Sequence, residues 1–382
     1  MYSRIIKIIS AVFLIAFTLW LAGCATAGIG GGPSVPKATK VALLLPLQGP
    51  NAARGQAIRN GFLTAYYYAK QQQPDAPAVD VIDTSRGNVV ELYQQAVANG
   101  ANFVVGPLTK EELRAVASQG RLPVPTLALN TLDDGARVAN LYQFGLSPQD
   151  EAQQAAVRAR QDGHSRVLVI VPAGTWGQGI AAAFEKQWQS LGGTVVDSYA
   201  YPPKGDFSYG IRNLLRVNPP PKNSTPGQRY SPQPRQDADM IFLAAFPQQA
   251  RQIKPSLLFY NAGNVPVYAT SLIYSGKPSP GYDQDLNGIE FGDMPWLLGP
   301  DLPQWGEIRE QMKSSWAASY GASPRLYALG IDAYHLTYGL GRLTTGANLQ
   351  GATGNLSVDS NQYIKRQLEW AKIENGLPQA VQ

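Results

Sequence analysis

Cysteine is almost missing from this chain: Cys24 is the only one among 382 residues, so no internal disulfide can form. Histidine is nearly as scarce, with His164 and His335 alone. His164 lies in the turn Asp162-Gly163-His164-Ser165 and His335 in the helical stretch Asp332-Ala333-Tyr334-His335. Neither has metal-ligand spacing to the other, so structural or surface roles are expected for both and no metal is expected. Gly-x-Ser-x-Gly and phosphate-loop patterns are absent. The acidic pairs Asp133-Asp134 and Glu111-Glu112 fall at a turn and at a helix start, where capping accounts for them. These absences argue against an enzyme and against a cofactor. Charged residues make up only 15% of the chain, the formal net charge is +5, and no block of like charge stands out. A nucleic-acid partner is therefore not expected.

One long apolar run does occur, at residues 8–21. It follows Arg4 and Lys7 and closes on Leu21-Ala22-Gly23-Cys24. This is the pattern of an export signal with a lipid-attachment site: a positive start stays on the cytoplasmic face, a short apolar core enters the translocon, and small residues before the cysteine admit a peptidase. A retained membrane anchor is the alternative, since a span takes ~20 apolar residues, but the run stops abruptly at small residues. Residues 1–23 are thus expected to be removed and Cys24 to carry lipid. Ala25 stands where an aspartate would favour retention at the inner membrane. By that sorting convention of Gram-negative lipoproteins, the periplasmic face of the outer membrane is expected. Residues 24–39 are Gly-rich and aperiodic, which reads as a flexible tether.

From Lys40 onward short apolar runs alternate with helix-length amphipathic segments. Strands are expected at 41–46, 79–83, 103–107 and 125–130, with helices near 53–72, 89–98 and 110–118 between them. Apolar runs without polar alternation imply parallel strands buried on both faces. After Leu141 to Ser147 and a helix near 150–160 a second set begins, with strands at 167–171, 194–199, 240–244 and 267–270. The fold class is α/β with two lobes, each a doubly wound, mostly parallel sheet. The first lobe is expected to start at 40–146, the second to occupy 147–270, and 271–382 to return mainly to the first, with crossovers near Leu146, Thr270 and Met294. Residues 217–236 contain six prolines with Lys222, Arg229, Tyr230 and Arg235. They read as a surface loop that is either a partner-binding element or a tolerated insertion.

Two lobes with several crossovers and strand ends facing a cleft resemble the type I periplasmic-binding architecture. Val105-Gly106-Pro107-Leu108-Thr109 is similar to the segment by which branched-chain amino-acid receptors hold a ligand carboxylate at a helix N-terminus. Thr175-Trp176-Gly177-Gln178-Gly179 resembles their aromatic lid loop, and Asp206-Phe207-Ser208 also matches that pattern. Where those receptors anchor the ligand ammonium with an acidic side chain, this chain has Thr270-Ser271-Leu272. That departure weakens amino-acid binding.

A denser resemblance is to the penicillin-binding protein activator family, the LppC or LpoA lipoproteins, in their C-terminal domain. It is carried by Leu43-Leu44-Leu45-Pro46-Leu47, Gly55-Gln56-Ala57-Ile58-Arg59-Asn60-Gly61-Phe62, Leu127-Ala128-Leu129-Asn130, Asp293-Met294-Pro295-Trp296-Leu297-Leu298 and Gly354-Asn355-Leu356-Ser357, among other segments over 40–376. The resemblance implies a lipid-anchored protein that stimulates peptidoglycan synthesis by binding a class A penicillin-binding protein. It also implies a short form, in which a tether replaces the N-terminal helical-repeat domain of the long members. A solute-binding lipoprotein of the amino-acid receptor type is the alternative.

For an unidentified small molecule in the cleft, the candidate residues are Ser85, Pro107, Leu108, Thr109, Asn130, Thr131, Trp176 and Phe246, all at expected strand ends. The competing reading is local: Thr109 caps the helix beginning at Lys110, and Asn130-Thr131 makes a turn.

Overall fold

The structure, a computed structural model, describes residues 35–381 apart from 74, 133–134, 219–230, 300–302 and the side chain of 304. Cys24, Lys222, Arg229, Tyr230 and the pair Asp133-Asp134 lie outside the described residues.

The first lobe runs β1 (Lys40–Leu45), α1 (Ala52–Gln72), β2 (Ala78–Asp83), α2 (Val89–Ala98), β3 (Phe103–Val105), α3 (Lys110–Ala117), β4 (Thr126–Ala128) and β5 (Leu141–Gln143). Its sheet has the order β2-β1-β3-β4-β5, parallel throughout. Val41 through Leu45 are fully buried because helices cover both faces of the sheet. The second lobe continues with α4 (Pro148–Gln161), β6 (Arg166–Pro172), α5 (Thr175–Ser190), β7 (Thr194–Tyr201), α6 (Ser208–Leu214), β8 (Met240–Leu243), α7 (Pro247–Phe259), β9 (Val267–Ala269) and β10 (Ile289–Asp293). Phe184 stacks on Phe242 at 4.0 Å between ring centroids, which locks α5 onto this sheet.

The last third corrects the sequence reading. Helices α8 (Pro303–Ser315) and α9 (Pro324–Thr344) do return to the first lobe, where both pack on α1. The strands do not. β10 lies beside β9, and β14 (Glu369–Glu374) and β15 (Leu377–Val381) follow antiparallel, giving the order β15-β14-β10-β9-β8-β6-β7. The segment 271–382 is therefore shared between the lobes. Thr270 is not a crossover, since the chain stays in the second lobe from β9 to β10. The third crossover runs instead through residues 345–368, which carry the small antiparallel sheet of β11 (Leu349–Gln350), β12 (Asn355–Val358) and β13 (Ile364–Gln367). An apolar run specifies a buried strand, but the choice of sheet depends on which edge is open, and that is a tertiary fact.

Helices α1 and α9 cross backbone to backbone. A Cβ on Gly61 would sit 2.1 Å from the Tyr327 carbonyl oxygen, and one on Gly330 would sit 2.1 Å from that of Ile58. No helix among the described residues is long and apolar enough to cross a membrane.

Candidate functional site

Between the lobes lies a cavity of about 500 Å³, lined from the first lobe by Leu108, Thr109, Asn130 and Thr131 and from the second by Trp176. The chain enters it from β3 through Gly106, whose φ of 104° and would-be Cβ 2.1 Å from the Leu44 carbonyl oxygen leave room for glycine alone. Five of the eight residues expected at the cleft thus come together. The other three do not line it. Ser85 turns back and donates its hydroxyl to Asp83 at 2.5 Å. Pro107 accepts from the Leu129 N–H at 2.9 Å, which ties it to the strand beside it. Phe246 instead backs Trp176, stacked on it at 5.7 Å with 6° between the planes, and both rings remain well exposed.

The polar groups expected to grip a ligand are already engaged. Thr109 accepts from the Glu112 N–H at 3.2 Å, and the Thr109 N–H donates to Glu112 Oε2 at 3.2 Å. This is a reciprocal capping box, so a protein carboxylate holds the N-cap amide of Thr109. Asn130 donates to the Leu108 carbonyl oxygen at 2.9 Å and accepts from the Thr131 N–H at 2.9 Å. The local reading of both residues is thus realised while they also line the cleft. The sequence reading missed Arg54, Gln149, Leu326 and Leu329, which also line it. Leu326 and Leu329 arrive on α9, and only the fold brings that helix here; Arg54 and Gln149 follow the starts of α1 and α4 by one or two residues, a position that a helix-start signal marks.

Arg235, expected to project with the Pro-rich loop, is turned inward. Its side chain is 4% exposed, pairs with Asp197 at 2.8 Å and Asp237 at 2.6 Å, and donates to the Leu214 carbonyl oxygen. It fastens the end of the loop instead of offering a cation to a partner.

Beneath the cleft, buried ionisable groups tie the crossovers together. Arg325 of α9 donates to Asp293 at the end of β10 and to the carbonyl oxygens of Ser271 and Tyr274, both at 2.9 Å. Glu151 of α4 accepts from the Ser271 N–H at 3.0 Å and pairs with Arg366 of β13 at 3.5 Å. Burial raises the Glu151 pKa, partly opposed by Arg366. Asp332 of α9 accepts from the Ala352 and Thr353 N–H groups, each at 2.7 Å, and from the Thr353 hydroxyl at 2.6 Å.

Burial lifts Asp332 to a pKa of about 6 and lowers His335, one turn along the helix, to about 4. Asp332 titrates higher in the folded than in the unfolded chain, so its contribution is present below about pH 4 and is lost as pH rises through 6. His335 is the reverse: its contribution is present above pH 6.5 and lost as pH falls through 4. At ~1.4 kcal/mol per unit each is worth ~3 kcal/mol, and the two nearly cancel. A His335→Gln variant should therefore gain ~3 kcal/mol relative to the parent on going from pH 6.5 to pH 4. Urea unfolding at the two pH values checks this; an equal difference at both would show that His335 titrates normally.

The family model described as "LppC putative lipoprotein" matches residues 34–376. A relative from Photobacterium profundum, "Penicillin-binding protein activator LpoA", is 32% identical over 351 residues, covering 88% of this chain and 56% of its own length. The chain thus spans little more than half of that protein. Among solved structures, the LpoA C-domain from Haemophilus influenzae, titled "a regulator of PBP1A", superimposes with a TM-score of 0.72 at 27% identity, covering 90% of this chain and 99% of that one. A "putative branched-chain amino acid ABC transporter" from Chromobacterium violaceum superimposes at 0.67 and 28%, covering 87% and 99%.

Proposed function

This chain belongs to the LppC lipoprotein family, and from that membership we propose that its two-lobed body is a non-catalytic activator that docks on a class A penicillin-binding protein and stimulates peptidoglycan synthesis. The observation that carries this over solute capture is the capping box at the cleft. The Thr109 amide, a donor that would receive a ligand carboxylate, is bound to the Glu112 side chain, and the Thr109 hydroxyl accepts from the Glu112 N–H, so a small acid that takes that amide must displace an internal partner. An activator needs an exposed surface that a synthase recognises and does not need the lobes to close. The names of the Photobacterium and Haemophilus relatives point the same way.

Lipidation at Cys24 and residence on the periplasmic face of the outer membrane belong to the same proposal, supported by the signal pattern of residues 1–23 and by the lipoprotein description of the family. One observation favours a second reading, a solute-binding lipoprotein: the exposed Trp176 and Phe246 stack at the cavity mouth, a surface on which a flat or apolar solute would rest.

A pull-down of the host's class A penicillin-binding proteins with this chain, followed by glycan-polymerisation and crosslinking assays, tests the proposal. Binding with a several-fold rise in synthesis is the expected outcome. No binding to any synthase, together with a saturable thermal shift from a panel of small molecules, would replace the activator by the receptor.

A further inference from the structure

A second cavity, about 760 Å³, opens at the opposite end of the second lobe, beside the residues that precede β9 and β10. It is larger than the interlobe cavity and lies within the range of small-molecule sites, ~300–1,000 Å³. Its walls are partly apolar, with Leu258, Val265, Pro266 and the ring of Tyr268. Its charged groups are unevenly matched. Arg158 is held by Asp162 at 3.0 Å, and Lys372 pairs with Glu290 at 3.6 Å. Tyr268 also donates to Asp162 at 2.7 Å, so that carboxylate is doubly engaged. Asp285 also lines the cavity without an ion pair among the described residues but is exposed to solvent, whereas Lys254 is buried. That lysine comes off α7 into the cavity wall, is 5% exposed, and has no ion pair or hydrogen bond among the described residues.

A lysine buried to this extent without a counter-charge is costly, and buried cations are ordinarily paired. We propose that this cavity binds a small organic acid, whose carboxylate rests on Lys254 and whose body lies against Val265, Pro266 and Tyr268. The apolar walls are what favour an organic acid over a bare inorganic anion, since phosphate would leave them uncovered. Burial, and after it the neighbouring Lys372, lowers the Lys254 pKa, which is the direction an arriving anion would reverse. The site is independent of the activator reading, because it shares no residue with the interlobe cavity.

Succinate and inorganic phosphate, titrated into the full chain by calorimetry at constant ionic strength, test the site. Saturable succinate binding is expected, with phosphate at least tenfold weaker. Lys254→Met keeps the aliphatic stem and removes the charge; it should lower succinate affinity at least tenfold while melting at or above the parent temperature. Arg54→Ala, at the interlobe cavity, should leave the affinity unchanged. Should Lys254→Met fail to fold, protection of Lys254 from an amine-acylating reagent by succinate, read by peptide mass spectrometry in the parent chain, gives the same answer. Phosphate binding as tight as succinate would overturn the organic-acid assignment. Absence of saturable succinate binding, or full affinity in Lys254→Met, would overturn the site.

Discussion

Replacing Arg325 by alanine should cost ~3–5 kcal/mol of folding stability, the loss that follows when one partner of a buried ion pair is removed. Asp293 is fully buried, and Arg325 is the cation hydrogen-bonded to it. The same guanidinium also satisfies the carbonyl oxygens of Ser271 and Tyr274, so alanine strands three acceptors. The position makes the effect more than local. Arg325 belongs to α9, packed on the first lobe, whereas Asp293 and Ser271 belong to the second. The variant should therefore loosen the seam between lobes as well as lower the unfolding midpoint. Asp293→Asn in the Arg325→Ala background should recover part of the loss, because an amide tolerates burial without a cation and keeps an acceptor for the Met294 N–H. Urea unfolding of the two single variants and the double variant decides it, with the slope m reporting whether the transition stays cooperative. A loss under ~1 kcal/mol for Arg325→Ala would mean that water replaces the guanidinium and that the pair does not hold the seam.

Much of this fold is legible in the sequence because its strands are buried on both faces. Runs such as 41–45 and 240–244 have no polar alternation, and between them helix lengths and caps are plain, with Asn88, Thr109 and Ser147 each accepting from a first-turn amide. The return of the chain was harder. Ile289–Asp293 and Glu369–Glu374 were not expected as strands, and their register, with Phe291 opposite Ala371, exists only once the open edge beside β9 is in place. The same limit applies to the cleft. Leu108, Thr109, Asn130, Thr131 and Trp176 were visible as strand or helix ends, but Leu326 and Leu329 reach the cavity on a helix nearly two hundred residues further along. Arg235 shows the opposite error: a cation at the edge of a proline-rich loop looks like a projecting contact, and nothing local reveals that Asp197 and Asp237 turn it inward.

The approach of α9 to α1 gives the other large effect, and here the sign of a familiar substitution reverses. Glycine in the interior of a helix is ~0.5–1 kcal/mol less favourable than alanine, so Gly330→Ala would stabilise an isolated α9. In the protein the new methyl would lie 2.1 Å from the Ile58 carbonyl oxygen and 2.7 Å from the Phe62 nitrogen. Those are backbone atoms of α1 that no rotamer change can move. The helices must part, which opens the packing of Phe62 against Tyr334, now edge to face at 5.4 Å. A loss of ~3 kcal/mol is expected, at the upper end of what overpacking costs. Gly61→Ala should do the same through the Tyr327 carbonyl oxygen, and the double variant should lose less than the sum, because the first methyl already pays for the separation that the second requires. Gly306→Ala is the control. That glycine lies within α8 with nothing within 4 Å of its would-be Cβ, so alanine there should gain ~0.5–1 kcal/mol. Opposite signs at Gly330 and Gly306 in the same unfolding assay would establish that closeness of the two helices, and not helix propensity, selects glycine at the crossing. Because α9 also carries Leu326 and Leu329 into the interlobe cavity, Gly330→Ala should alter that cavity too.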